Sequence, residues 1–177
     1  LVASGDTVRL PIDQGHLVAI LAGRVKGDAI DGSSLIDLTP RIEQGTLEWQ
    51  APDGPWRVMV FTWRLSEGRA GNLLVDGASQ DAVDWYIQTV YQPHYTHFGH
   101  EFGNLIRGFF YDEPETWGDW GTEVIPTIEE RSGDWKRALV AWKFQLADQD
   151  EQIAARYAYH DGFAEAWGRT LYGGLTE

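Results

Sequence analysis

The residues Trp56-Arg57-Val58-Met59-Val60-Phe61-Thr62-Trp63 form a nearly continuous run of β-branched and aromatic side chains. That is the pattern of a strand buried on both faces, as in a parallel sheet covered by helices, so it constrains the fold more than any other segment. The following residues fit a βαβ unit. After a glycine-containing loop at 66 to 72, Ser79 can cap a helix with Asp81 in its positive first turn. Its apolar stripe runs through Val83, Ile87, Val90, Tyr95 and Phe98 to Gly99, placed for a left-handed C-cap. Pro93 removes one backbone donor, which predicts a kink or an early end near residue 92. Leu105-Ile106-Arg107-Gly108-Phe109-Phe110-Tyr111 then reads as a second strand, and joining it to the first requires a right-handed parallel crossover.

On either side the character differs. From Val8 to about Arg57 short apolar runs alternate with turn signals at Lys26-Gly27-Asp28, Gly45 and Pro52-Asp53-Gly54-Pro55, which predicts a β-rich front. Beyond residue 133, Asp134 caps a helix with the stripe Trp135, Leu139, Trp142 and Leu146. Asp148 and Glu151 open another, carrying Ile153, Tyr157, Ala164, Trp167 and Leu171 up to Gly173-Gly174. Strands alternating with helices predict the α/β class, with residues 1–55 as a β-rich segment or insertion and residues 56–177 as part of a (β/α) barrel.

The 177-residue chain has a formal net charge of −13 and a pI near 4.6. No Lys/Arg cluster reverses that sign locally, which argues against nucleic acid or an anionic membrane surface as a partner. Without cysteine there is no disulfide framework to place the chain in a redox compartment. No signal-peptide pattern is present, and the start at Leu1 reads as internal.

Candidate chemistry gathers at Asp112-Glu113-Pro114. In parallel α/β folds ligands meet the carboxyl ends of strands. A carboxylate following seven largely apolar residues sits at the edge of a low-dielectric core, where desolvation raises its pKa into the useful range for a proton donor. Glu113 is the candidate acid. Adjacent strand residues face opposite ways, leaving Asp112 to brace a loop or hold a cation. An acidic pair after a strand is commonly only a loop start or a helix cap. The aromatic flank of Tyr111, Trp117 and Trp120 singles this pair out, because sugars stack their C–H faces on rings and bond their hydroxyls to carboxylates. Asp76 is the first choice for a further carboxylate, ahead of Glu115, Asp119 and Glu123, and Trp63 is a further aromatic contact. His94, His97 and His100 recur at spacings of three, but at the end of a helix they more simply complement its dipole than bind a metal. Ser/His/Asp elbow, P-loop and dinucleotide fingerprints are absent.

The segment from Trp56-Arg57-Val58-Met59-Val60-Phe61 through Val75-Asp76, His94-Tyr95, Phe98-Gly99 and Phe102-Gly103 to Gly108-Phe109-Phe110-Tyr111-Asp112-Glu113-Pro114 resembles the α-L-rhamnosidase-like glycoside hydrolases of the family 106 type. The resemblance covers roughly residues 45 to 177. It implies a (β/α)8 TIM-type catalytic barrel, hydrolysis of terminal rhamnose or a related deoxy sugar with inversion, a calcium ion near the substrate, and a secreted or periplasmic location. It carries to Glu113 as general acid and to Asp112 and Asp76 as sugar or cation contacts. Two departures stand out. Pro93 interrupts a helix expected to be unbroken, and the chain ends at Glu177 before the strands that would supply a second carboxylate, so a fragment is expected. Glycoside hydrolysis canonically uses two carboxyl groups, and a chain lacking one is expected to bind sugar without turning it over. The alternative to a hydrolase is a noncatalytic carbohydrate-binding or scaffold module.

Overall fold

Strand Trp56–Thr62 finds its partner upstream, not in a downstream parallel neighbour. The computed structural model describes residues 1–65, 75–108 and 118–176, and the chain divides into two units, Leu1–Arg64 with Ile128–Asp161 and Leu65–Thr127 with Gly162–Glu177. The first unit carries β1 (Thr7–Pro11), β2 (Leu17–Lys26), β3 (Ala29–Ile30), β4 (Ile36–Asp37), β5 (Ile42–Glu43), β6 (Thr46–Gln50) and β7 (Trp56–Thr62). One sheet has the order β1-β6-β5. In the other, β2 pairs with β3, β4 and β7. The β2–β7 ladder runs antiparallel from Leu17↔Thr62 to Arg24↔Trp56, with a register shift between Leu17 and Ala19.

These pairings overturn the expected barrel. Every pairing between strands among the described residues is antiparallel, in two sheets. The first predicted barrel strand is β7, and it is not buried on both faces. Met59 and Phe61 lie in the core, whereas Val60 is 44% exposed and Thr62 is exposed. Its β-branched and aromatic residues favour extended backbone, but that preference does not specify the direction of the partner. Of the described positions of the second predicted strand, only Ile106 forms a bridge, to Phe102, and Leu105 is 76% exposed. Positions 109–111 lie outside the described residues, as do Asp112, Glu113 and Pro114.

The core of the first unit joins the sheets to helices. Trp49 and Trp56 meet edge to face at 5.6 Å among Ile20, Leu38 and Leu47. Helix α4 (Trp135–Lys143) buries Ala138, Leu139, Val140 and Ala141, capped by the Asp134 carboxylate, which accepts from the Arg137 amide at 3.1 Å. Phe144 packs edge-on against Phe61 at 5.9 Å. The chain after α4 then bonds to β3: the Ile30 amide donates to Gln145 O, and the Ala147 amide donates to Ile30 O. Buried Gln152 of helix α5 (Gln149–Trp167) accepts from the Leu146 amide and donates to Ala141 O, so its side chain replaces backbone partners that the turn cannot supply. Trp142 stacks on Tyr159 at 4.3 Å.

In the second unit, Ser79 caps α1 (Gln80–Tyr86) by accepting from the Ala82 amide. A π-helical segment, Ile87–Tyr91, joins it to α2 (Gln92–Phe98), and Pro93 stands in the first turn of α2. The wider turn meets the proline where no helical donor is required, so the helix passes Pro93 instead of ending near 92. Gly99 has φ −57 and is no left-handed cap; Gly103, at φ 82, supplies that conformation. Helix α3 is Val124–Ser132. At the far end, α5 passes through the π-helical segment Gly168–Tyr172 into α6 (Gly173–Thr176), so the paired glycines do not stop it. A Cβ on Gly174 would lie 3.1 Å from Val83 and 3.4 Å from Ile87, so the glycine permits close packing on α1. No helix among the described residues is long and apolar enough to cross a membrane.

Gly23 in β2 touches its neighbours closely: an added Cβ would stand 2.4 Å from Ile30 Cγ2 and 3.0 Å from Leu35 Cδ2. Gly23→Ala is therefore expected to destabilise the chain by about 1–3 kcal/mol in urea denaturation, the usual cost of overpacking. Asp31 accepts from the Ser33 hydroxyl and amide and pairs with Lys26 at 2.9 Å, and these contacts, led by the hydroxyl, hold its pKa down at about 2. A lowered folded pKa stabilises above the unfolded value of about 3.9, and that stability is lost as pH falls towards 2. The wild-type advantage over Asp31→Asn is expected to shrink across that window when denaturation midpoints are compared from pH 6 to 2.

Candidate functional site

Asp76 stands in the loop that feeds α1, within the second unit. Its Oδ1 accepts from the Ala78 amide at 2.9 Å, and its carbonyl accepts from the Ser79 amide at 3.2 Å. This Asx-type turn sets the entry of the Ser79 cap. Two glycines let other segments close on it. A Cβ on Gly121 would fall 2.6 Å from Asp76 Oδ1 and 2.5 Å from Ala78 Cβ, while one on Gly77 would fall 2.8 Å from the Trp167 ring. The Thr170 hydroxyl donates to Gly77 O, and the Glu123 amide donates to Ala78 O at 2.9 Å.

The resulting enclosure half-buries the Asp76 carboxyl and raises its pKa. Burial is the main cause, the Ala78 amide opposes it, and the negative charge of Glu123 adds to it. The structure thus brings together two carboxylates that the sequence offers in separate loops. A carboxyl in this setting can donate or accept a hydrogen bond to a hydroxyl. Calcium takes roughly six to eight oxygen ligands. Among the described residues no group of three or more His, Asp or Glu side chains is placed to hold a metal, so Asp76 and Glu123 alone do not fit the ion that the family resemblance implies. His94, His97 and His100 form no such group either.

Trp63 belongs to the first unit and follows the end of β7. Its amide donates to His16 O at 2.9 Å. The residue is 37% exposed, and its ring meets the His16 imidazole at 4.7 Å and 61°. Asp13 completes the group: its Oδ2 lies 3.5 Å from His16 Nδ1, while its Oδ1 accepts from the Gly15 amide at 3.0 Å. The Gly15 amide, and then the imidazole, lower the Asp13 pKa. Sequence reasoning missed His16 and Asp13. Their signal was an acid and a histidine three residues apart around a glycine in a short turn, too common to notice without the pairing that brings Trp63 back to them.

The remaining predicted site residues, Glu113, Asp112, Tyr111 and Trp117, lie outside the described residues. Asp76 and Trp63 are the two that are described, each with a partner identifiable from the fold.

No protein-family model matches this chain, and no curated protein matches it. Among solved structures, the chain shares its fold with part of a larger glycoside hydrolase. That protein is the rhamnosidase from Novosphingobium sp. PP1Y, matched with a TM-score of 0.66 at 20% identity over 83% of this chain. The match spans 16% of the rhamnosidase chain.

The raised pKa of Asp76 has a testable consequence. A carboxyl whose folded pKa lies above its unfolded value penalises the folded state as pH rises through the folded pKa. Asp76→Asn keeps the acceptor for Ala78 and removes the charge. It is expected to melt at or above the wild-type temperature at pH 7 and to match wild type below about pH 4. Asp76→Ala loses the acceptor and is expected to cost about 1 kcal/mol below about pH 4 and less at pH 7, where it also removes the disfavoured charge.

Proposed function

We propose that this chain is part of a glycoside hydrolase that releases terminal rhamnose or a related deoxy sugar. The observation that carries this reading is the fold shared with the rhamnosidase over 83% of the chain. Glu113 protonates the departing glycosidic oxygen, while a second carboxylate, not among those assigned here, activates water on the opposite face of the sugar. Asp112 and Asp76 hold sugar hydroxyls, and Tyr111 and Trp117 offer rings to its apolar face, while Trp63 in the first unit is an aromatic contact for saccharide of its own. The half-buried Asp76 supports this role, since it can donate as well as accept near its raised pKa.

A second reading is a saccharide-binding module without turnover, favoured by the partly exposed indole of Trp63 beside the Asp13–His16 pair. The two separate with a rhamnosyl disaccharide as probe. In the intact enzyme of which this chain is part, hydrolysis is expected in wild type and about 10²- to 10⁴-fold slower in Glu113→Gln, with binding retained, since that is the usual contribution of a general acid. Equal turnover in both proteins overturns the assignment of Glu113. Equal binding with no turnover in either form of the intact protein overturns the hydrolase reading and leaves the binding module.

A further inference from the structure

The Asp13, His16 and Trp63 group has the parts of a small binding site, drawn from two places in the chain that the β2–β7 ladder brings together. Thr62 pairs with Leu17 in that ladder, so the residues just beyond β7 return to the short turn Gln14–His16 that precedes β2. The Trp63 amide bond to His16 O fixes the backbone there, and the ring contact at 4.7 Å and 61° sets the imidazole at a steep angle to the indole. Asp13 Oδ2, beside His16 Nδ1, orients the imidazole and leaves Nε2 as its other polar atom.

We infer that Asp13, His16 and Trp63 form a binding subsite for a neutral saccharide, with the indole as a stacking surface and the imidazole and carboxylate as hydrogen-bonding groups. Three observations support that class of ligand. Trp63 is 37% exposed at the end of a strand whose Met59 and Phe61 are buried, so this aromatic is not consumed by the core. Its polar neighbours are also open, with side-chain exposures of 54% for His16 and 81% for Asp13. An apolar ring face beside a donor and acceptors suits a pyranose, whose C–H face is apolar and whose rim is hydroxylated. The carboxylate, with its pKa lowered by the Gly15 amide and His16, disfavours an anionic sugar at this position.

This subsite extends the contact assigned to Trp63 in the hydrolase reading, and it rests on that reading only for the choice of rhamnose as first probe. The test is binding of methyl α-L-rhamnoside and methyl α-D-glucoside to the full chain, followed by saturation-transfer NMR and titration. Trp63→Ala and His16→Ala are expected to weaken binding about tenfold or more, and Trp63→Phe to recover most of the loss. Circular dichroism and thermal midpoints identify any variant that fails to fold, and Trp63→Phe retains a ring where Trp63→Ala unfolds. Wild-type binding in folded Trp63→Ala and His16→Ala overturns the subsite and leaves the hydrolase reading standing. Binding of neither glycoside by wild type also overturns the subsite, while hydrolysis of the rhamnosyl disaccharide judges the enzyme reading separately. Preference for a uronic acid over both neutral glycosides overturns the ligand class.

Discussion

The antiparallel ladder between β2 and β7 is the constraint on which the first unit depends. Seven register pairs from Leu17↔Thr62 to Arg24↔Trp56 commit each β7 side chain to one face. At one end the ladder places Trp56 against Trp49, with the Arg24 guanidinium over the indole at 5.6 Å. In the middle it sends Met59 and Phe61 inward, and Phe61 receives Phe144 from the end of α4. At the other end it delivers Trp63 to His16. A one-residue slip would exchange the buried and exposed sets of β7 and separate all three contacts, so the register specifies packing and candidate site together.

The second unit is organised by close backbone approach. Gly77, Ala78 and Gly121 are all buried in a space with no room for larger side chains. Trp167 covers Gly77, Thr170 bonds to its carbonyl, and the Glu123 amide bonds to the next carbonyl. Such a turn satisfies its buried backbone groups from outside the local segment, as burial requires. The same crowding withdraws Asp76 from water and gathers Glu123 near it. The raised pKa is therefore a consequence of how the chain packs around two glycines.

What the sequence disclosed was mostly local chemistry. Ser79, Asp134 and Asp148 cap helices as their side chains and positions indicated, because a cap depends on only three or four neighbouring residues. The strand around Trp56 was equally plain. Its partner was not, since direction and order of pairing are settled by long-range packing, and a parallel barrel was expected where antiparallel sheets stand. The face of α5 was also misread. Ile153 and Tyr157 are 60% and 70% exposed, while Gln152, Ala155, Tyr159 and Ala166 turn inward. Hydrophobic periodicity cannot anticipate a buried glutamine whose function is to satisfy Leu146 and Ala141. Pro93 misled in the same manner: its cost was judged against a regular α-helix, and the π-helical turn before it changes that reference. Of the candidate site, Asp76 and Trp63 were legible as residue types suited to sugars, but Glu123, His16 and Asp13 acquire meaning only from contacts distant in sequence.

Charge links these local environments to the class of ligand proposed for them. In a chain with net charge −13, a carboxylate enclosed beside another is disfavoured by their mutual repulsion. Asp76 shows the local form of the effect, because Glu123 adds to the shift that burial begins. A neutral saccharide approaches such a surface without electrostatic penalty, whereas an anionic one is repelled. The net charge thus favours the same ligand class as the indole and imidazole of the first unit.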